Sequence, residues 1–196
     1  MKFLMALFAL LQCASAANLD ETDFRTNSLP GLVDIDGVIH QPLNNPEVRA
    51  IVLVFILPDC PISNSYLPEL NRIHAEFGPR GVRLFAIHVD QKLSPQSARE
   101  HAREHKLRPP VVLDPRHVWV RKVGATVTPE VAVLSPEGKL LYLGRIDNRY
   151  AGLGKRRAQV TSHELRDALK AILAGQPVAT PRAPAVGCNI SDTIEK

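Results

Sequence analysis

The sequence predicts an α/β protein: a mixed central sheet flanked by helices, with an N-terminal hairpin and a β-α insertion. Three observations carry this. Strand-like apolar runs alternate with helix-period segments along the chain. One of those runs, AIVLVFIL at 50–57, is continuously apolar, as a central strand buried on both faces must be. The 196 residues, 45% hydrophobic and 22% charged, suffice for one domain with a real core.

The first segment reads as an address. Lys2 supplies a positive start, Phe3 to Leu11 an apolar run, and Ala14-Ser15-Ala16 a small-residue cleavage site. Residues 1–16 are therefore expected to be a secretory signal peptide, cleaved after Ala16 or Ala17. The run is far shorter than the ~20 residues a membrane span needs. Anchoring through a lipidated Cys13 is disfavoured by bulky Gln12 before it. No later stretch is long and apolar enough to span, so an exported protein that is not integral to the membrane is expected.

Residues 17–175 carry the predicted domain. Leu32 to Ile35 and Val38 to His40 flank Asp36-Gly37, a strong hairpin turn. After the 50–57 strand, Pro61 to Phe77 shows Ile62, Tyr66, Leu70, Ile73 and Phe77 on one helical face, with Pro68 expected to kink it. Val82 to Val89 is a second buried strand. Ser94 is an N-cap with Pro95 in the first helical position, opening a helix to about Leu107. A short strand at Val111 to Leu113 and a short helix from Pro115 to Val123 follow. Val131 to Leu134 and Leu140 to Ile146 form a hairpin around Pro136-Glu137-Gly138. Thr161-Ser162-His163-Glu164 has the pattern of a capping box for a last helix to about Leu173. Residues 176–196, rich in Pro, Ala and Gly, read as a flexible tail carrying Cys188.

The net charge of +4 is mild and aromatics are only 5%, which argues against nucleic acid as a partner. If Cys13 leaves with the signal, Cys60 and Cys188 remain, and outside the cytoplasm a disulfide between them can persist. Cys60 follows a buried strand and precedes Pro61, so it falls at a helix N-terminus. The dipole and free N–H groups there stabilise a thiolate; Asp59 opposes it.

Strand, Cys-Pro-Ile-Ser, a helix with Pro68, then Thr128-Pro129 before a late hairpin resembles the thioredoxin superfamily, and more narrowly exported redoxin-domain proteins of the AhpC/TSA and TlpA groups. The segments DCPISNSYLPELNRI, VTPEVAVLSPEGKLLYLGRIDNRY and VGCNI carry it, over about Leu32 to Leu173. The resemblance implies a thioredoxin-like fold, with the β-α insertion at roughly Val82 to Leu107. It implies Cys60 as the nucleophile and Pro129, preceded by Thr128, as the cis-proline against the active site. It implies protein thiols and disulfides, or peroxide, as substrates, and requires no cofactor.

Two departures stand out. The fourth motif position is Ser63, which cannot resolve a mixed disulfide. Three residues before Cys60, where peroxidatic sites carry Thr or Ser, stands Leu57, so poor peroxide reduction is expected. Cys188, 188 − 60 = 128 residues downstream, is the candidate resolving thiol. The primary expectation is an exported thiol–disulfide oxidoreductase; the alternatives are a peroxiredoxin-like peroxide reductase and a non-enzymatic copper-binding or copper-delivery protein.

For the last, His88 and His117 with Cys60 and Cys188 would make a Cys/His site, but nothing has metal-ligand spacing, and solvated histidines are the expectation. His101 and His105, on one helix face among charged residues, read as wet surface. The stretch GRIDNRYAGLGKRR reads as a solvated basic loop.

Overall fold

The computed structural model describes residues 31–191; the signal segment 1–16 and Cys13 lie outside the described residues. Six strands form the central sheet, in the order β11-β8-β7-β3-β4-β5. Strands β3 (Ala50–Ile56), β4 (Val82–His88) and β5 (Val111–Leu113) are parallel. Strand β7 (Glu130–Leu134) runs antiparallel to β3, and β8 (Leu140–Gly144) antiparallel to β7. Strand β11 (Arg182–Ala183) completes the edge, parallel to β8.

Every residue of β3 is buried, and its alternation divides the core. Ala50, Val52, Val54 and Ile56 face Leu67, Leu70, Ile73 and Phe77 of α1 (Pro61–Phe77) and Leu165 and Leu169 of α4 (Glu164–Leu173). Ile51, Leu53 and Phe55 face Trp119, Val120 and Val123 of α3 (Val118–Val123) and Leu32 of β1 (Leu32–Val33). Strand β1 pairs with β2 (Ile39–His40), the predicted N-terminal hairpin. Helix α1 runs through Pro68, and α2 (Pro95–Glu104) starts at the Ser94 cap, whose hydroxyl accepts from the Ser97 N–H.

Four expectations need correction. Helix α3 begins at Val118, not Pro115, because the buried Asp114 carboxylate accepts from the N–H groups of Val118, Trp119 and Val120. Helix α2 ends at Glu104, ahead of Lys106, whose φ is +52°. The capping box does not form: α4 starts at Glu164, whose carboxylate instead accepts from Arg145 and Ser162. Thr161 N–H donates to Asn148.

The fourth correction bears on function. The segment after α4 is built into the domain. It crosses the sheet edge as β11 and then pairs, as β12 (Cys188–Asn189), antiparallel to β6 (Val127–Thr128). Two glycines permit this. A Cβ on Gly144 would lie 2.1 Å from the Ala183 carbonyl oxygen, and one on Gly187 would lie 1.9 Å from the Thr128 carbonyl oxygen. Only glycine allows so close an approach of two backbones.

Candidate active site

Cys60 sits where the sequence places it. Strand β3 ends at Ile56, three residues cross the sheet's carboxyl edge, and Cys60 caps α1 with extended φ/ψ of −91°/107°. The Ser63 N–H donates to Cys60 Sγ at 3.4 Å. The Cys60 thiol donates to the Thr128 carbonyl at 3.2 Å. The Thr128-Pro129 peptide bond is cis, so β6 meets β7 directly beside the cysteine. Glu130, buried just after it, accepts from the Thr126 N–H at 2.7 Å and holds the turn.

Cys188 arrives from the other end of the chain. Its register partner in the β12–β6 ladder is Thr128. Its thiol donates to Cys60 Sγ with the sulfurs 2.7 Å apart, and both cysteines are free thiols here. Cys60 is 1% exposed, whereas Cys188 is only partly buried.

The pair is electrostatically unequal. Burial alone would push the Cys60 thiol up. The Cys188 side chain, the Ser63 and Cys188 N–H groups and the Thr128 side chain bond its thiolate, and the net pKa falls below the ordinary thiol value. Cys188 is pushed up to about 11, by burial and by the hydrogen bond and charge of Cys60.

The surroundings hold this loop in place. Asn64 Nδ2 donates to the Pro58 carbonyl at 2.7 Å, leaving Oδ1 to accept from His101 Nε2 at 3.0 Å. His101 is thus buried, not wet surface: its ring lies between those of His88 (5.0 Å) and His105 (4.6 Å). His88 is fully buried with neither ring nitrogen bonded, and burial, then His101, lowers its pKa to about 3. His117, also buried, uses Nε2 on the Val89 carbonyl. These histidines are core and loop supports rather than solvated groups. Among the described residues no three His, Cys, Asp or Glu side chains converge on a metal position, so His88 and His117 do not join the Cys60–Cys188 pair.

The basic stretch is also more structured than expected. Tyr66 donates to Asp147 at 2.6 Å, the Arg149 guanidinium lies 4.5 Å over the Tyr66 ring, and Tyr150 donates to Ser65 at 3.0 Å. Arg145 is paired with Glu164. Strands β9 (Tyr150–Gly152) and β10 (Lys155–Arg156) form a hairpin fastened to the start of α1. Sequence reasoning missed Asn64, Glu130 and Gly187. Of these only Gly187, next to a cysteine in VGCNI, carries a local signal.

Comparison with known proteins agrees with this geometry. Residues 32–143 match the model of the AhpC/TSA family. No curated protein matches the chain. Among solved structures, an uncharacterized conserved protein from Geobacillus kaustophilus is 26% identical, with TM-score 0.71, covering 85% of this chain and 90% of its own. A hypothetical protein from Sinorhizobium meliloti is 24% identical, with TM-score 0.70, over 84% and 91%. A thioredoxin-like protein from Aeropyrum pernix is 18% identical, with TM-score 0.54, over 72% and 88%. The family match spans more than half of the chain, and the fold around it is thioredoxin-like: the chain belongs to the AhpC/TSA family.

Proposed function

We propose that the protein is a thiol–disulfide oxidoreductase whose redox couple is Cys60 with Cys188, acting outside the cytoplasm on protein thiols and disulfides. One observation carries this reading: two sulfurs 128 residues apart in sequence lie 2.7 Å apart, at a helix N-terminus. Cys60 supplies a stabilised thiolate, and Cys188 takes the resolving place that Ser63 cannot fill. The Ser63 side chain is buried, and its hydroxyl cannot form a disulfide with Cys60. Thr128 and Pro129 frame the pair, the former through its carbonyl and its ladder position opposite Cys188. Export rests on the signal-like segment 1–16. An oxidising compartment would let the couple persist as a disulfide.

In the oxidised protein the Cys60–Cys188 bond accepts two electrons from a partner dithiol. The partner becomes a disulfide, and two thiols return to Cys60 and Cys188. Peroxide is the weaker alternative, because Leu57 offers no hydrogen bond to it. The test is to count free thiols in the mature protein before and after mild oxidant, and to map the product by mass spectrometry. Loss of two thiols into one Cys60–Cys188 disulfide, with reduction of hydroxyethyl disulfide by the reduced form, is the expected result. Retention of both thiols would overturn the reading.

A further inference from the structure

We infer that the sulfur attacked by partner thiols is Cys188, and that Cys60, the motif cysteine, is the leaving and ring-closing sulfur. This rests on the Cys60–Cys188 couple proposed above. It reverses the order that the Cys-Pro-Ile-Ser motif implies.

Access decides it. Thiol–disulfide exchange needs the incoming sulfur to reach the sulfur it attacks. Cys60 is 1% exposed. Its Sγ is enclosed by the Ser63 N–H, the Thr128 carbonyl and Cys188 Sγ. The enclosure is backbone on two sides: the helix start, and β6 running into the cis-proline turn. The third side is strand β12, laid against Thr128 with no room for a side chain at Gly187. Cys188 is on that covering strand and is the partly exposed member of the pair. A partner can therefore reach Cys188 with β12 in place, whereas reaching Cys60 requires the β12–β6 ladder to open.

The electronics agree. A disulfide breaks faster when the departing sulfur is the weaker base. Cys60 is the stabilised thiolate of the two, and Cys188 the poorer leaving group.

The step balances as follows. A partner thiolate forms a bond to Cys188 Sγ. The Sγ–Sγ bond breaks, and its electron pair leaves on Cys60 Sγ, to which the Ser63 N–H donates. The partner sulfur is oxidised, and Cys60 is reduced. A second partner thiolate then attacks the partner's own sulfur in the mixed disulfide. Cys188 departs and takes a proton from solvent, leaving the partner oxidised and the protein reduced, with a Cys188 thiol and a Cys60 thiolate. In the reverse direction, Cys60 attacks Cys188 in the mixed disulfide and expels the partner.

The experiment uses the oxidised protein and reduced glutathione, a monothiol that stops at the first step. The mixture is quenched in acid within seconds, free thiols are alkylated, and both cysteines are mapped. Glutathione on Cys188, in at least tenfold excess over Cys60, is the expected result. Glutathione mainly on Cys60 overturns the order while leaving the couple intact. Absence of any Cys60–Cys188 disulfide in the starting material overturns the couple and the order together. Two variants give an independent reading with glutathione disulfide. Cys60→Ser should be glutathionylated at Cys188 and hold the adduct. Cys188→Ala, with β12 still covering the site, should react at Cys60 at least tenfold more slowly than the isolated thiol of Cys60→Ser, and faster reaction there overturns the order.

Discussion

Cys60 and Cys188 set each other's acidity, because the hydrogen bond between them serves the thiolate of one at the expense of the other. Each partner's removal should therefore move the other's titration in a known direction. In Cys188→Ala the alkylation midpoint of Cys60 should rise, since a donor to its thiolate is removed. In Cys60→Ser the midpoint of Cys188 should fall below its value of about 11, since the neighbouring charge is gone. Alkylation rates against pH measure both, and unchanged midpoints would mean that the sulfurs do not communicate in solution. His88 gives a second residue-scale test. Its pKa in the fold is about 3, against an ordinary 6.5, because burial excludes the charged form. An unfolded chain takes up that proton below pH 6.5 and the folded chain does not. The stability associated with neutral His88 is therefore complete above pH 6.5 and is lost as pH falls toward about 3. His88→Leu should flatten the fall in urea midpoint between pH 7 and pH 4, because it removes a buried base whose nitrogens have no partner.

At the scale of elements, the site is a junction of α1, the β6–β7 turn and strand β12. The first two are held by the core, as α1 buries Leu67, Leu70, Ile73 and Phe77 completely. Strand β12 is held by two register pairs to β6 and by the close approach at Gly187. Gly187→Ala would place a methyl group against the Thr128 carbonyl and force β12 away. The core should remain folded by circular dichroism, while closure of the Cys60–Cys188 disulfide from glutathione disulfide slows by about tenfold or more, as preorganisation of the two sulfurs is lost. Wild-type closure rates in that variant would show that the tail finds Cys60 without the ladder. The His88–His101–His105 row and Asn64 act at the same scale. They brace the Pro58 carbonyl just ahead of Cys60 and so help fix where the helix begins.

Over the whole molecule, the couple ties the start of α1 to the end of the described chain. The closed loop spans 128 residues of sequence separation. Chain-entropy reasoning gives such a closure about 5 kcal/mol, acting mainly on the unfolded state. For a domain of this size that corresponds to roughly 10–20 °C in melting temperature. Calorimetry of the oxidised and reduced forms should show the oxidised form melting higher by that order. A shift under about 2 °C would mean that the disulfide strains the fold as much as it constrains the unfolded chain.

Local rules settled much of this protein from its sequence. The all-apolar run at 50–57, the Ser94-Pro95 helix start and the Cys60-Pro61 cap each depend on neighbours within a few residues, and each forms as read. The Thr128-Pro129 pair was singled out by the resemblance to the thioredoxin superfamily rather than by local rules, and the fold class followed from the alternation of strand-like and helix-like segments. The tail was not legible. Its Pro, Ala and Gly content describes a chain with little intrinsic structure, and only the open edge of β8 and the exposed backbone of β6 give it partners. The burial of His88, His101 and His117 was hidden likewise, since burial depends on what the other elements lay over a residue. Above all, the 2.7 Å approach of Cys60 and Cys188 belongs to the tertiary structure. Reach allowed it, but pairing across β12 and β6, and the absence of a side chain at Gly187, bring the two sulfurs together.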